Sequence, residues 1–325
     1  MRNLEVRIRR APAAAEDFEV VSGEVPRLTN GGILCRARWL TVDPFTCVPS
    51  SSGERATTSP RPGDVVPALG VCEVLESRHD VFAVGQHVVL ECGMRELVVS
   101  SGQHACALHP GQSPASTALG LLGPAGMAAY FGLLDLAGLR RGETVLISGA
   151  ANVAGAMAGQ VARIKGARAV GIGSSREKCD WATRHARFSA CVHDRAENIG
   201  TRLRQLAPHG FEVYFDNSGG ELLGLVLSGR HVAPGGRVLL NSVRQADPAE
   251  LLRRAGYAPG EISVLRLNVA DYERRRGEFL KDAIAWYGAD RLVCREDIAE
   301  GLQNAPAHLM KAMRGESFGR PLIKV

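Results

Sequence analysis

Gly149, Asn152 and Gly155 stand as G-x-x-N-x-x-G between a short apolar run, Val145-Leu146-Ile147, and a segment with apolar residues at helical spacing, Met157, Val161 and Ile164. A tight turn of small residues between a buried strand and a helix leaves backbone N–H groups and the positive end of the helix dipole facing outward. That arrangement binds a pyrophosphate or a similar anion. Asn152 occupies the place where a second glycine is expected. Asparagine tolerates left-handed backbone better than most residues, so the turn survives the exchange. On glycine spacing alone, a helix merely packed on a strand remains an alternative.

After a second apolar run, Ala169-Val170-Gly171-Ile172, the chain reads Gly173-Ser174-Ser175-Arg176-Glu177-Lys178. A site for NAD places an acid at this strand end to hold the ribose 2′-hydroxyl. Here two hydroxyls and two cations suit a 2′-phosphate, which a carboxylate would repel. Glu177 lies beyond the turn, among the cations. The chemistry expected is that of NADP(H), with an ordinary solvated helix start as the plain alternative for Arg176 and Lys178.

These residues need a strand, a turn, a helix and a strand in quick succession, the βαβ dinucleotide-binding unit. Further strand–helix repeats follow. Ala190–His193 is a strand before a helix from Glu197 to Leu206; Val213–Asp216 and Val238–Leu240 are the next strands. Ile262–Asn268 precedes a helix from Asp271 to Trp286. Such alternation predicts an α/β doubly wound parallel sheet over residues 117–297. Ser116–Ala137 reads as two helical pieces broken at Gly123-Pro124. Residues 1–116 look β-rich, with runs at Phe18–Val21, Ile33–Leu40, Val65–Val74, His87–Leu90 and Glu96–Val99 separated by turn residues. The polar stretch Cys47–Pro62 is either a loop over a site or a disordered connector. Residues 298–325, with a helix over His308–Arg314 and a last strand over Pro321–Val325, are expected to rejoin the β-rich domain.

At 325 residues, 45% hydrophobic and 22% charged, the chain has the composition of a globular protein large enough for two domains. Its net charge of +5 comes from dispersed arginines, and Arg274-Arg275-Arg276 is the only triple run. That run reads as a solvated helix face, so no nucleic-acid partner is expected, while a basic surface attracts an anionic cofactor. No apolar stretch is long enough to span a bilayer, and MRNLEVRIRR lacks a signal-peptide core, so the expectation is a cytoplasmic protein with no membrane partner. The eight cysteines never form C-x-x-C. This argues against a disulfide framework and a clustered zinc site, and no metal is expected.

The order of elements and several stretches resemble the medium-chain dehydrogenase/reductases, and within them the zinc-independent branch of prostaglandin reductases, leukotriene hydroxydehydrogenases and alkenal/one double-bond reductases. The matching stretches are LTVDPF at Leu40–Phe45, GMAAYFGL at Gly126–Leu133, GETVLISGAA at Gly142–Ala151 and GQVARIKGARAVGIGSSREK through Lys178. YFDNSGGE at Tyr214–Glu221, GGRV at Gly235–Val238 and the tail RGESFGRPLIKV complete the set. The resemblance implies a Rossmann domain beside a β-rich, GroES-like catalytic domain.

It also implies site roles. Gly149, Ala151, Asn152, Val153 and Gly155 would lie under the pyrophosphate. Ser175 and Lys178 would hold the 2′-phosphate, with Arg176 in place of an acid common in relatives. His193 stands where the family has Tyr near that phosphate, and Asn217 would sit close to the nicotinamide ribose. Ser317 replaces the Asn of the closing tail, while Gly319 and Arg320 keep its glycine–basic pair.

The implied chemistry is conjugate reduction, with NADPH delivering hydride to the C=C of an enone or enal. Such a reaction needs a donor for the developing oxyanion and a proton source for the α-carbon. The family's S-T-Y-N stretch is absent, Ser242–Ala246 standing in its place. Tyr272 matches a second family position and is the donor candidate; an interfacial aromatic with its hydroxyl in water is its alternative, and Tyr257 and Tyr130 are weaker. Phe45, Cys47 and Ala128 depart from the family's polar residues at the substrate mouth. These losses point to a substrate other than small alkenals, such as a polyketide-like intermediate undergoing reduction or reductive cyclisation. Rival readings are a catalytically altered NADPH-binding sensor and a carbonyl or alcohol dehydrogenase without zinc. The resemblance further implies a homodimer that pairs the apolar strand Ile262–Leu267 across a two-fold axis.

Overall fold

The computed structural model describes residues 3–10, 14–43, 61–195, 198–241 and 247–325. Two compact units form, Met1–Gly120 with Arg295–Val325, and Leu121–Cys294.

The first unit opens with β1 (Asn3–Ile8) and β2 (Phe18–Gly23), an antiparallel pair. β1 is not evident from the sequence because two of its inward positions are polar. Asn3 and Glu5 are buried, and Asn3 is satisfied by the Leu97 backbone at 3.1 and 2.8 Å. β3 (Ile33–Thr41), β4 (Leu69–Ser77), β5 (His87–Glu91), β6 (Leu97–Ser100) and β7 (Cys106–Ala107) follow, each antiparallel to its neighbours. The strand expected from Val65 starts only at Leu69. Val65 makes an isolated bridge to Arg7, and Pro67 between them has no N–H to offer a ladder. Most of the stretch Cys47–Pro62, together with Phe45, lies outside the described residues.

The second unit begins with α1 (Pro124–Phe131), which carries Pro in its first turn and continues as a wider turn over Gly132–Leu136. Then come β8 (Thr144–Ser148), α2 (Val153–Ile164), β9 (Arg168–Gly173), α3 (Arg176–Arg184), β10 (Ala190–His193), α4 (Ile199–Leu206), β11 (Phe211–Asp216), α5 (Gly220–Ser228), β12 (Val232–Leu240), α6 (Pro248–Arg254) and β13 (Ser263–Arg266). The six strands are parallel in the order β10-β9-β8-β11-β12-β13. The chain starts in the middle, winds outward to β10 and returns to β11. The strand order therefore reverses between β8 and β11. Val145, Leu146 and Ile147 are fully buried, as strands covered on both faces require. The helix expected over Asp271–Trp286 divides at Arg275: Val269–Arg275 is a tight 3-10 segment, and α7 (Arg276–Gly288) is the regular helix. Glu197 and Ser242–Ala246 lie outside the described residues.

The chain then returns to the first unit with β14 (Glu296–Glu300), α8 (Ala305–Met313) and β15 (Arg320–Lys324). β15 pairs antiparallel with β3, so the last strand does complete the β-rich sheet. No helix among the described residues is long and apolar enough to cross a membrane.

Candidate active site

The turn from β8 into α2 is set by two glycines with different duties. Gly149 has φ +62°, the left-handed backbone that a side chain resists. Gly155 has ordinary backbone but no room: a Cβ there would meet the Gly149 carbonyl oxygen at 2.2 Å. Asn152 departs from expectation. Its φ of −76° and ψ of 160° are plain extended backbone, so its tolerance of left-handed geometry is not used. Asn152 is instead the exposed N-cap of α2, and its side chain makes no cap hydrogen bond. The first-turn N–H groups of Val153, Ala154 and Gly155 are thus left for a ligand. Ala151 is buried behind them.

At the end of β9, Ser175 caps α3, its Oγ accepting the Lys178 N–H at 3.2 Å. Lys178 Nζ donates to Ser174 Oγ at 3.2 Å. Two hydroxyls and an ammonium therefore gather in one turn, with Arg176 exposed beside them. His193 ends β10 in register with Gly173, which brings it to the same strand ends. Asp194 follows, its N–H bonded to the Gly173 carbonyl at 3.0 Å. Its buried Oδ1 has no hydrogen-bond partner among the described residues.

A third cluster sits where the strand order reverses. Ser148 ends β8, Asp216 ends β11, and Asn217 comes next. Asp216 is fully buried and accepts from Ser148 Oγ at 3.0 Å and Tyr214 Oη at 2.8 Å, and from the N–H groups of Ser218 and Gly219 at 3.0–3.3 Å. Burial, with the charge of Asp216, pushes the Tyr214 phenol well above its ordinary pKa and keeps its proton in place. Ser148 Oγ also accepts the N–H groups of Asn217 and Ser218 at 2.8 and 3.2 Å, which fills its capacity. Asn217 Nδ2 donates to the Ser148 carbonyl at 2.9 Å, and Asn217 Oδ1 accepts from Asn241 Nδ2 at 2.7 Å. Sequence reasoning singled out Asn217 and missed Ser148, Asp216, Asn241 and Asp194. The readable signal was a polar side chain ending an otherwise apolar buried strand.

Tyr272 lies in the 3-10 segment before α7. Its ring stacks on Phe131 with centroids 4.5 Å apart, and its hydroxyl donates to Asp135 Oδ2 at 3.1 Å. Arg275 also binds Asp135, at 2.9 Å, and its hydrogen bond holds that carboxyl below the usual range. Burial and the bond to Asp135 raise the Tyr272 phenol. Tyr130 donates to Asp282 at 2.8 Å and is buried. Ser317 and Gly319 belong to the first unit. The Ser317 hydroxyl is buried with no hydrogen-bond partner among the described residues. Gly319 has φ +96°, and a Cβ there would meet the Arg295 carbonyl at 2.2 Å.

Residues 4–108 match a family model described as the N-terminal domain of oxidoreductase. Prostaglandin reductase 1 of Bos taurus is 32% identical over 322 residues, 95% of this chain and 94% of that protein. The NADPH-dependent curcumin reductase of Escherichia coli (strain K12) is 30% identical over 320 residues, 95% of this chain and 92% of that protein. The crystal structure of CurA in complex with NADPH from Vibrio vulnificus superposes with a TM-score of 0.88 at 26% identity, covering 99% of both chains. The chain belongs to the zinc-independent medium-chain dehydrogenase/reductases, in the prostaglandin reductase branch, and is an oxidoreductase.

Proposed function

We propose that this oxidoreductase uses NADPH to reduce the conjugated C=C bond of an enone or enal. The observation that carries the reading is the corner of Ser174, Ser175, Arg176 and Lys178 at the end of β9, where hydroxyls and cations stand in place of an acid. Relatives named as prostaglandin, curcumin and pulegone reductases support the substrate class. The residues suit the cofactor. Gly155 leaves a cradle that a Cβ would fill, and the start of α2 offers N–H groups without a side-chain cap.

On this reading Lys178, Arg176 and Ser175 hold the 2′-phosphate, His193 stands beside them, and Gly149–Gly155 receive the pyrophosphate. Asn217, locked by Ser148, borders the nicotinamide ribose. The first unit, which carries Ser317 and Gly319, is the substrate domain. Bound NADPH supplies the hydride. Tyr272 is the donor toward the substrate oxygen, and its hydroxyl must leave Asp135 to serve. The apolar replacements at Phe45 and Ala128 favour an extended, polyketide-like acceptor over a small alkenal, by plain reduction or by reductive cyclisation. β13 is one of the two edge strands of its sheet, with Val264 and Leu265 half-buried, which supports a homodimer pairing these edges. A monomeric mass by light scattering at micromolar concentration counts against that pairing.

The test is loss of NADPH absorbance over a panel of enones and enals, with NADH as control. Turnover of at least one conjugated acceptor, faster with NADPH, is expected. A second reading, an NADPH-binding protein without turnover, draws on the Tyr272 proton being directed to Asp135. Tight NADPH binding with no consumption across the panel selects it over catalysis.

A further inference from the structure

We propose that Asn241 is a positioning residue for the nicotinamide half of the cofactor, acting by reinforcing the amide orientation of Asn217. This rests on the reading of the second unit as an NADPH site.

A carboxamide has a donor end and an acceptor end, and a half-turn exchanges them. Asn217 is addressed at both. The Ser148 carbonyl can only accept, so it takes Asn217 Nδ2 at 2.9 Å. Asn241 Nδ2 donates to Asn217 Oδ1 at 2.7 Å and secures the other end. A flipped Asn217 would set its oxygen against the Ser148 carbonyl and its N–H groups against the Asn241 N–H. The first pairing is repulsive whatever Asn241 does, and Asn241 as placed adds the second, so the Ser148 carbonyl sets the orientation and Asn241 Nδ2 reinforces it.

Asn241 is itself held from behind, since its N–H donates to the Asp216 carbonyl at 3.0 Å. Its root is thereby tied to the β11 turn, which the Asp216 side chain organises. Ser148, Asn217 and Asn241 stand at the carboxyl ends of β8, β11 and β12, beside the reversal of strand order where open parallel sheets bind their ligands. Asn217 and Asn241 are only half-buried, unlike Ser148 and Asp216 behind them. The buried pair supports the turn, and the half-buried amides present what it supports. The second N–H of Asn217 and the Oδ1 of Asn241 have no partner among the described hydrogen bonds.

Asn241→Asp keeps the shape and removes the donor, turning an oxygen toward Asn217 Oδ1. The experiment titrates NADPH, and separately adenosine 2′,5′-bisphosphate, which lacks the nicotinamide half. The proteins are wild type, Asn241→Asp, Asn217→Leu and the double variant, with melting temperatures as a check on folding. Expected is a loss of about tenfold in NADPH affinity for Asn241→Asp, with bisphosphate affinity unchanged. In the Asn217→Leu background the same substitution should have almost no effect, because its target is gone. An equal loss in both backgrounds overturns the proposal, as the new charge would then act on the cofactor directly. So does an equal loss for bisphosphate, which marks general damage, or no loss at all. If Asn241→Asp does not fold, Asn241→Leu takes its place in the same cycle with the same criteria. A wild-type chain that binds neither probe overturns the NADPH reading itself, and this proposal with it.

Discussion

Gly155→Ala is the sharpest probe of the cradle, because the cost can be worked from the geometry. The added methyl would lie 2.2 Å from the Gly149 oxygen, 2.9 Å from its carbonyl carbon and 3.2 Å from Ala150 Cα. Carbon and a carbonyl oxygen approach to about 3.3 Å without repulsion, so the start of α2 must retreat by about 1 Å. The carbonyl cannot swing aside freely, since it accepts the Asn152 N–H at 2.8 Å. Overpacking of this kind costs about 1–3 kcal/mol. For a unit of this size that lowers the melting temperature by about 2–12 °C. The same retreat withdraws the N–H groups of the first turn, and losing a hydrogen bond to a charged group weakens NADPH by about a further 1–3 kcal/mol. The control is Gly224→Ala in α5. Apart from the backbone of its own helix, no atom lies within 4 Å of the new methyl there, so it should stabilise by about 0.5–1 kcal/mol. Thermal melts and an NADPH titration read both effects. A Gly155→Ala protein that melts and binds like wild type would refute the close approach of α2 to the turn.

Lys178→Glu should weaken NADPH by about 1–3 kcal/mol and NADH far less; equal affinity of the unmutated protein for the two cofactors rejects the 2′-phosphate corner. Tyr272→Phe should lower kcat by about 10²–10³-fold with little change in NADPH affinity; an unchanged kcat leaves the phenol as a clamp between Phe131 and Asp135. In the first unit, burial raises the Asp297 carboxyl, but Lys311 at 2.7 Å and the Phe318 N–H at 3.2 Å outweigh it and leave its pKa lowered. A depressed carboxyl stabilises above its unfolded value, about 3.9, and loses that contribution as pH falls through the folded value. Lys311→Met should therefore flatten the acid limb of melting temperature against pH, and an unaltered limb counts against the pairing.

What the sequence disclosed depended on how far apart the interacting residues lie along it. The turn from Gly149 to Gly155 is contiguous, and its flanking runs, Val145–Ile147 and Ala169–Ile172, are apolar throughout, so strand, turn and helix were legible. Ala190–His193 was legible for the same reason. β1 was not, because Asn3 and Glu5 look like surface residues until Leu97, ninety-four positions away from Asn3, supplies the missing hydrogen bonds. β14 carries three acids in five residues and resembles a loop; its partner strand makes it regular. The length of β12 was hidden by Pro234, Gly235 and Gly236, which fit a strand only because its pairing with β11 shifts register there. The Ser148–Asp216 bond joins residues sixty-eight positions apart, and Tyr272 meets Asp135 across one hundred and thirty-seven. No local pattern announces such pairs.

The two ends of the proposed cofactor site are built on different physics, and that difference has consequences for how the site can change. The corner at Ser175 and Lys178 is half-buried, and Arg176 beside it is exposed. Salt screens such charges, and single substitutions alter them without disturbing the sheet. On the proposed reading, preference between NADPH and NADH rests on a surface that tolerates revision. The cluster of Ser148, Asp216, Asn217 and Asn241 is mostly withdrawn from solvent, and nearly every donor and acceptor in it is matched. Removing one member strands another, at a cost set by burial and unaffected by salt. On the same reading, orientation at the nicotinamide end rests on a network that must change as a whole.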